Sequence, residues 1–401
     1  MSNKSVLFLV AALTLPMSPA EAVELGQGVQ AHGFVSQSLV HTSDNRVGGN
    51  SDDGIATDMR EIGGNLSWRP DADWLLSGQV LARWAGQSDV GDLRLDYGFV
   101  DRTLMTGDAS SLGVRLGKIK NPVGFFNTTR DVAQTRPGII MPQSIYLDRI
   151  RNSFLAAPGI SLYGNHDYSS GNLAWQISGV RPELDDPDLT WFMLGDKARG
   201  TFHGKDSWFA QAMLESEGGR WRGGVTLSQV SMKYQRGAET IPFTSGSTRL
   251  PTWGLSLEHN TENWSLTGEY SQTAVHSQGY SIPLVEQDNT TESWYLQATR
   301  RFGSGWQVFL RYDAFYLDKD DRDGSAFVAS QSGLPAPAQI PARVRFAKDW
   351  ALGVRRDLGR WSWSGEWHHV DGTAWLSPTD TPVAAAKQRW DMLLLQGAWS
   401  F

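Results

Sequence analysis

The sequence predicts an all-β fold: a transmembrane antiparallel β-barrel of about 16 strands, with short periplasmic turns and long extracellular loops. Residues 390–401 alternate, placing Leu393, Leu395, Gly397, Trp399 and Phe401 on one face. An aromatic at the end of such a strand suits a bilayer interface better than water. Residues 1–22 read as a secretory signal, and tryptophans recur at one place in successive hairpins. Together these point to a barrel in a bilayer.

In the signal, Lys4 supplies the positive start and 6–15 the apolar run, before Pro16 and Pro19. Ala20-Glu21-Ala22 gives a small-x-small cleavage pattern, so the mature barrel is expected to cover 23–401. The apolar run is too short to cross a core of about 30 Å as a helix. The chain has no cysteine, which excludes lipoprotein attachment and suits an exported protein without disulfides. The expected destination is the outer membrane of a Gram-negative bacterium, by way of the Sec pathway.

Hydrophobic residues make up 40% and charged residues 20%, the balance of a water-soluble chain. After the signal no apolar run approaches the roughly 18 residues of a spanning helix. A barrel reconciles the two, because each strand has one lipid face and one wet face.

Trp74, Trp221, Trp264, Trp306 and Trp361 each follow a tight polar turn and open an alternating segment. That recurrence is a weak internal repeat, and its physical sense is a ring of interfacial anchors, to which Phe401 belongs. Behind these tryptophans the alternation continues. Trp74, Leu76, Gly78, Val80, Ala82 and Trp84 oppose Ser77, Gln79 and Arg83, and Trp361, Trp363, Gly365 and Trp367 oppose Ser362, Ser364, Glu366 and His368. The period is two, with an apolar outside and a polar inside.

Strands are expected at 28–41, 59–69, 74–85, 93–105, 111–120, 158–167, 172–181 and 207–216. The second half adds 221–234, 252–260, 264–276, 291–302, 306–317, 346–357, 361–370 and 390–401. Short connections alternate with long ones, the brief 86–92 excepted. The wall and its loops use up the chain, leaving nothing for an N-terminal plug, and sixteen to eighteen strands enclose an aqueous lumen.

The third long loop, 121–157, contains Phe125, Phe126, Ile139, Ile140, Met141, Ile145 and Tyr146. So many apolar groups have no use in water. They dock inside the barrel, or else form a lid or a partner surface, and inward folding is the expectation. Pro122, Pro137, Pro142, Gly124 and Gly138 restrict its path.

The stretch Gly117-Lys118-Ile119-Lys120-Asn121-Pro122-Val123-Gly124 that enters this loop resembles the Gly-x-x-Lys-x-Pro-x-Gly region of porins related to the phosphate-selective porin family. The order of strands and loops also resembles the wider Gram-negative porin superfamily. The resemblance implies a trimeric, 16-stranded channel whose third loop narrows the lumen. Phosphate specificity does not transfer, because the dense basic run of that family has only a partial counterpart here.

That counterpart is arginine. By alternation Arg83, Arg94, Arg102 and Arg115 face inward, and the loop adds Arg130, Arg136, Arg149 and Arg151. Such a half-ring either attracts anions to a constriction or pairs with carboxylates, among them Asp96, Asp101, Asp131 and Asp148, to hold the loop down. Asp44, Asp52, Asp53 and Asp58 in the first loop and Glu183, Asp185, Asp186 and Asp188 in the fourth suggest a negative outer mouth, able to bridge lipopolysaccharide phosphates through divalent cations. His368 and His369 are adjacent, so they point to opposite faces and cannot share a metal. No Gly-x-Ser-x-Gly elbow occurs, and no catalytic residue, metal or cofactor is expected.

The expected function is passive diffusion of small hydrophilic solutes, with an anion preference at a basic constriction. Two alternatives stay open. One is a channel preferring sugars or aromatic acids, with Phe125, Phe126 and Tyr146 as a greasy track. The other is a structural or partner-binding barrel. Membrane lipid, lipopolysaccharide, the solutes and two further copies of the chain are the expected partners; nucleic acid is not, for a chain of net charge −7.

Overall fold

A computed structural model describes residues 23–195, 198–238, 244–281, 285–335 and 339–401. The expected signal segment lies outside them. Alternating segments bounded by Gly, Pro and Asp turns pair in chain order. The first eight long strands are β1 (Val29–Thr42), β2 (Ala56–Trp68), β3 (Trp74–Ala85), β4 (Val90–Thr106), β5 (Ser110–Lys120), β6 (Ala156–Tyr168), β7 (Gly171–Val180) and β8 (Ser207–Ser216). The remainder are β9 (Trp221–Gln235), β10 (Ser247–Asn260), β11 (Trp264–Gln278), β12 (Asp288–Phe302), β13 (Trp306–Tyr316), β14 (Phe346–Leu358), β15 (Trp361–Gly372) and β16 (Arg389–Ser400).

Each is antiparallel to its neighbours, and β16 closes the ring on β1, from Met392 opposite Thr42 to Ser400 opposite Phe34. A closed sheet leaves no unpaired edge, which is what a spanning β-structure requires. Two four-residue strands, Val23–Gly26 and Thr201–Gly204, add to the ends of β1 and β9.

The outer face is apolar in the expected register. Leu66, Val80, Leu116, Ile160, Leu255, Leu296, Leu310, Leu393 and Leu395 are exposed there. Trp221, Trp264, Trp306 and Trp361 are exposed beside the short turns, and Trp74 is half-buried.

The inner face departs from a uniformly wet lumen. At the long-loop end Val40, Phe209, Val230, Phe315, Met392 and Leu394 point inward and are buried. They form one apolar cluster with Ile139, Ile140 and Leu147 of the third loop, Leu189 of the fourth and Trp375 of the eighth. The loops are therefore packed down into the barrel, and that docking sets where the interior is dry.

Candidate functional site in the barrel interior

The third loop leaves the wall through the glycine- and proline-containing motif, in which Lys118 reaches Glu183 of the fourth loop at 2.7 Å while Lys120 and Asn121 bond within the neck. Lys120 donates to Asp131 at 2.7 Å and to the Thr128 carbonyl at 2.8 Å. Asn121 and Asn127 tie the two ends of the loop together, Asn121 donating to the Phe154 carbonyl and Asn127 to the Asn121 carbonyl. Gly124 turns at φ +55°, and a side chain there would overlap the Tyr146 hydroxyl.

Beyond Gly124 the loop crosses the lumen and lands on carboxylates of the far wall. Glu269 on β11 accepts the Phe125 N–H at 2.9 Å, the Tyr146 hydroxyl at 2.5 Å, the Tyr295 hydroxyl at 2.8 Å and the Ser256 hydroxyl at 2.5 Å. Glu366 on β15 accepts the N–H groups of Ile139 (2.5 Å) and Ile140 (3.2 Å) at the loop tip. Asp313 on β13 accepts from the Ser144 N–H. His368 is wedged between Asp349 (2.7 Å) and Glu366 (3.1 Å), while its neighbour His369 is exposed near Asp391. These landing carboxylates were not singled out from sequence, because an inward Glu in an alternating strand looks like any wet lumen residue.

The arginines gather on the near wall. Arg83 contacts Glu61 (3.3 Å), Asp89 (2.6 Å) and Asp148. Arg94 shares Asp89, Arg115 meets Asp101 at 2.7 Å, and Arg136 meets Glu61 at 2.7 Å. Arg151 is bidentate to Asp96 at 2.9 and 2.8 Å. These five guanidiniums are thus engaged by carboxylates, and three of them, Arg83, Arg136 and Arg151, tie the third loop to the wall.

Two guanidiniums of the third loop make no carboxylate bond among the described residues. Arg130 is buried and donates to the Tyr146 carbonyl at 3.0 Å, with its Nε left unpartnered. Burial, and then Arg151 nearby, draw it down to about 9. Arg149 donates to the Leu376 carbonyl and lies 4.2 Å over the Phe192 ring, its Nε also unpartnered. Burial lowers it to about 10, partly offset by Asp188 and Asp186. For Asp148 burial alone would raise the carboxyl, but Arg83 and Arg130 outweigh it and hold it below the usual range.

Arg102 is a correction. It is exposed on the outside of β4, its guanidinium 5.0 Å over the Trp74 ring. The cause is a bulge: Gln79 pairs with Tyr97 and Val80 with Leu95, so Asp96 is an extra residue. Before it Leu93 and Leu95 face out, after it Val100 and Leu104 do, and strict alternation carried across the bulge assigns Arg102 the wrong face.

Of the loop aromatics, Tyr146 borders the interior cavity toward the long loops and Phe126 the one toward the short turns. Phe125 and Tyr146 are buried, packed edge-on against Phe126 at 6.2 and 5.9 Å, and serve the docking on β11. A helix in the fourth loop, Pro187–Leu194, begun by Asp186 accepting the Asp188 N–H at 2.9 Å, adds Phe192 to an interior aromatic lining shared with Tyr146 and Phe154 of the third loop and Phe209 and Phe315 of the wall. Asp188 is buried against the Ser377 hydroxyl, so it is not part of a solvated acidic mouth, whereas Glu183 and Asp185 are exposed.

The third loop separates two cavities. One, of about 210 Å³ toward the long loops, lies between the third and fourth loops and the inner faces of β8–β13. The other, of about 180 Å³ toward the short turns, is lined by polar groups such as Arg136, Glu258, Gln297, Arg301, Arg355 and Glu366.

The sequence matches no family model and no curated protein. The structure is similar to the anion-selective porin from Comamonas acidovorans, at 14% identity and TM-score 0.55, covering 93% of this chain and 99% of that one. It is also similar to OmpF of Salmonella typhi in complex with daunomycin, at 11% identity and TM-score 0.55, covering 95% and 100%. The outer membrane channel DcaP of Acinetobacter baumannii follows at 10% identity and TM-score 0.52, covering 93% and 97%. With its closed sixteen-stranded wall and a third loop laid across the interior, the chain has the fold of the Gram-negative outer-membrane porins.

Proposed function

We infer that the protein is an outer-membrane channel through which small hydrophilic solutes diffuse passively, with a mild anion preference. The observation that carries this reading is the third loop held across the lumen, with a cavity on either side of it. The anion preference rests on Arg130 and Arg149, whose charge is not met by a bonded carboxylate. A partner-binding barrel would keep apolar loop side chains on the outside, but Ile139, Ile140, Leu189 and Trp375 are buried within.

Recording from purified protein in planar bilayers tests the reading. Replacing 127–155 by a short Gly-Ser join should raise single-channel conductance, because the obstruction across the lumen is gone. An inserted variant with unaltered conductance would place the constriction elsewhere. In a salt gradient the intact channel should show a reversal potential on the anion side, and a cation-side value overturns the selectivity.

A further inference from the structure

The larger cavity has two unlike sides. Its wall side carries hydroxyls, among them Ser228 on β9, Thr252 on β10, Ser271 and Thr273 on β11 and Ser293 on β12. Its loop side is largely apolar, with Phe154, Leu189, Phe192 and Met193 joined by Phe209 and Phe315 from the wall, and Asn127, Arg130 and Ser144 as polar members. Phe192 and Met193 also line a second apolar hollow of about 190 Å³ nearer the mouth, where Arg149 lies over the Phe192 ring. The helix Pro187–Leu194 thus faces both chambers. Arg130 lines the inner one, 3% exposed and with Nε unpartnered.

A hydrophilic ion finds hydroxyls on the wall side only, since the apolar loop side offers it no hydrogen bonds and removes water. A molecule with an apolar body gains from every ring it covers, and its acidic group has one buried cation without a carboxylate to bind. We propose that this cavity is a binding subsite for small organic acids with an aromatic or branched apolar body. The carboxylate meets Arg130, the body lies against the helix Pro187–Leu194, and Arg149 over Phe192 receives the acid on its way in. This deepens the channel reading above and rests on it.

Phenylacetate, phenylacetamide, acetate and maltose separate the terms. Phenylacetamide keeps the ring without the charge, acetate the charge without the ring, and maltose tests a neutral sugar as the occupant. Added to a single conducting channel, phenylacetate should block current at concentrations about tenfold below either fragment, as loss of one charge-assisted contact or one ring burial predicts. Arg130→Gln should bring phenylacetate to the level of phenylacetamide. Phe192→Ala, which removes the ring under Arg149 but none of the third loop's bonds to Glu269, Asp313 and Glu366, should weaken phenylacetate and not acetate.

Equal block by phenylacetate and acetate, or stronger block by maltose, overturns the subsite. Calorimetric titration of the detergent-solubilised protein with phenylacetate keeps the two readings apart. Binding by a non-conducting barrel retains the subsite and sinks the channel, and conduction without binding does the reverse.

Discussion

Glu269 shows how one inward carboxylate can fix a loop. It accepts from one backbone N–H and three hydroxyls, and an amide in its place would turn one oxygen into a donor facing donors. Glu269→Gln should therefore lower barrel stability by about 1.5–3 kcal/mol, the scale of a hydrogen bond to a buried charge. The unfolding midpoint in denaturant and the open-channel noise should change together. A quiet channel with an ordinary midpoint would mean that the loop is held elsewhere, at Glu366 and Asp313. At the same scale, Arg115 and Arg102 form a matched pair, because one faces Asp101 inside and the other Trp74 outside. Arg115→Gln should move the reversal potential toward cations, and more so at 0.01 M salt, where the Debye length is about 30 Å. Arg102→Gln should leave it unmoved. Equal shifts would show that selectivity follows the overall charge rather than the inner face.

Among the elements, the helix Pro187–Leu194 carries a pH dependence. Burial pushes the carboxyl of its capping residue Asp186 up to about 6, against the N–H of Asp188, which favours ionisation. A carboxyl raised in the folded chain holds its proton better there than when unfolded. Its contribution is then fully present below the ordinary carboxylate range, near 4, and is lost as pH rises through about 6. Thermal unfolding should show a midpoint that falls between about pH 4 and 6, and less so in Asp186→Asn, which keeps a capping oxygen and removes the titration. An identical pH profile in the variant would assign the effect to another acid, such as Asp380, also raised to about 6. This helix was also where the sequence was hardest to read. Its Leu189, Phe192 and Met193 are too few for a helical period, and the surrounding acids suggest a negative outer mouth. The strands were legible, since alternation over ten or more residues between Gly and Pro turns has few other solutions. The bulge at Asp96 was not, because an inserted residue changes the parity without changing the composition. Nor were the landing points of the third loop: its apolar content shows that it docks, but which carboxylate meets which N–H is set by the barrel's width and tilt.

For the whole molecule the decisive contact is the seam between the last strand and the first. Beyond the β1–β16 ladder, Phe401 exchanges backbone hydrogen bonds with Gly33 at 3.0 and 3.2 Å, and its ring lies tilted against Trp399 at 5.2 Å. Gly33 has to be small, because a Cβ there would overlap the Phe401 ring. The seam therefore ends in a residue pair, and each member can be tested through the other. Deleting Phe401 removes two backbone hydrogen bonds, about 1 kcal/mol each, and uncovers Gly33. The ladder from Ser400 to Met392 survives, so the barrel should still close, with a lower thermal midpoint and a larger unfolded fraction on unheated gels. Gly33→Val, which displaces the ring, should give a similar loss. If both act through the same contact, the double variant should be little worse than either alone, because the contact can be lost only once. Additive losses would instead mean that Phe401 and Gly33 act independently, and that the aromatic end is held by something other than its fit over the first strand.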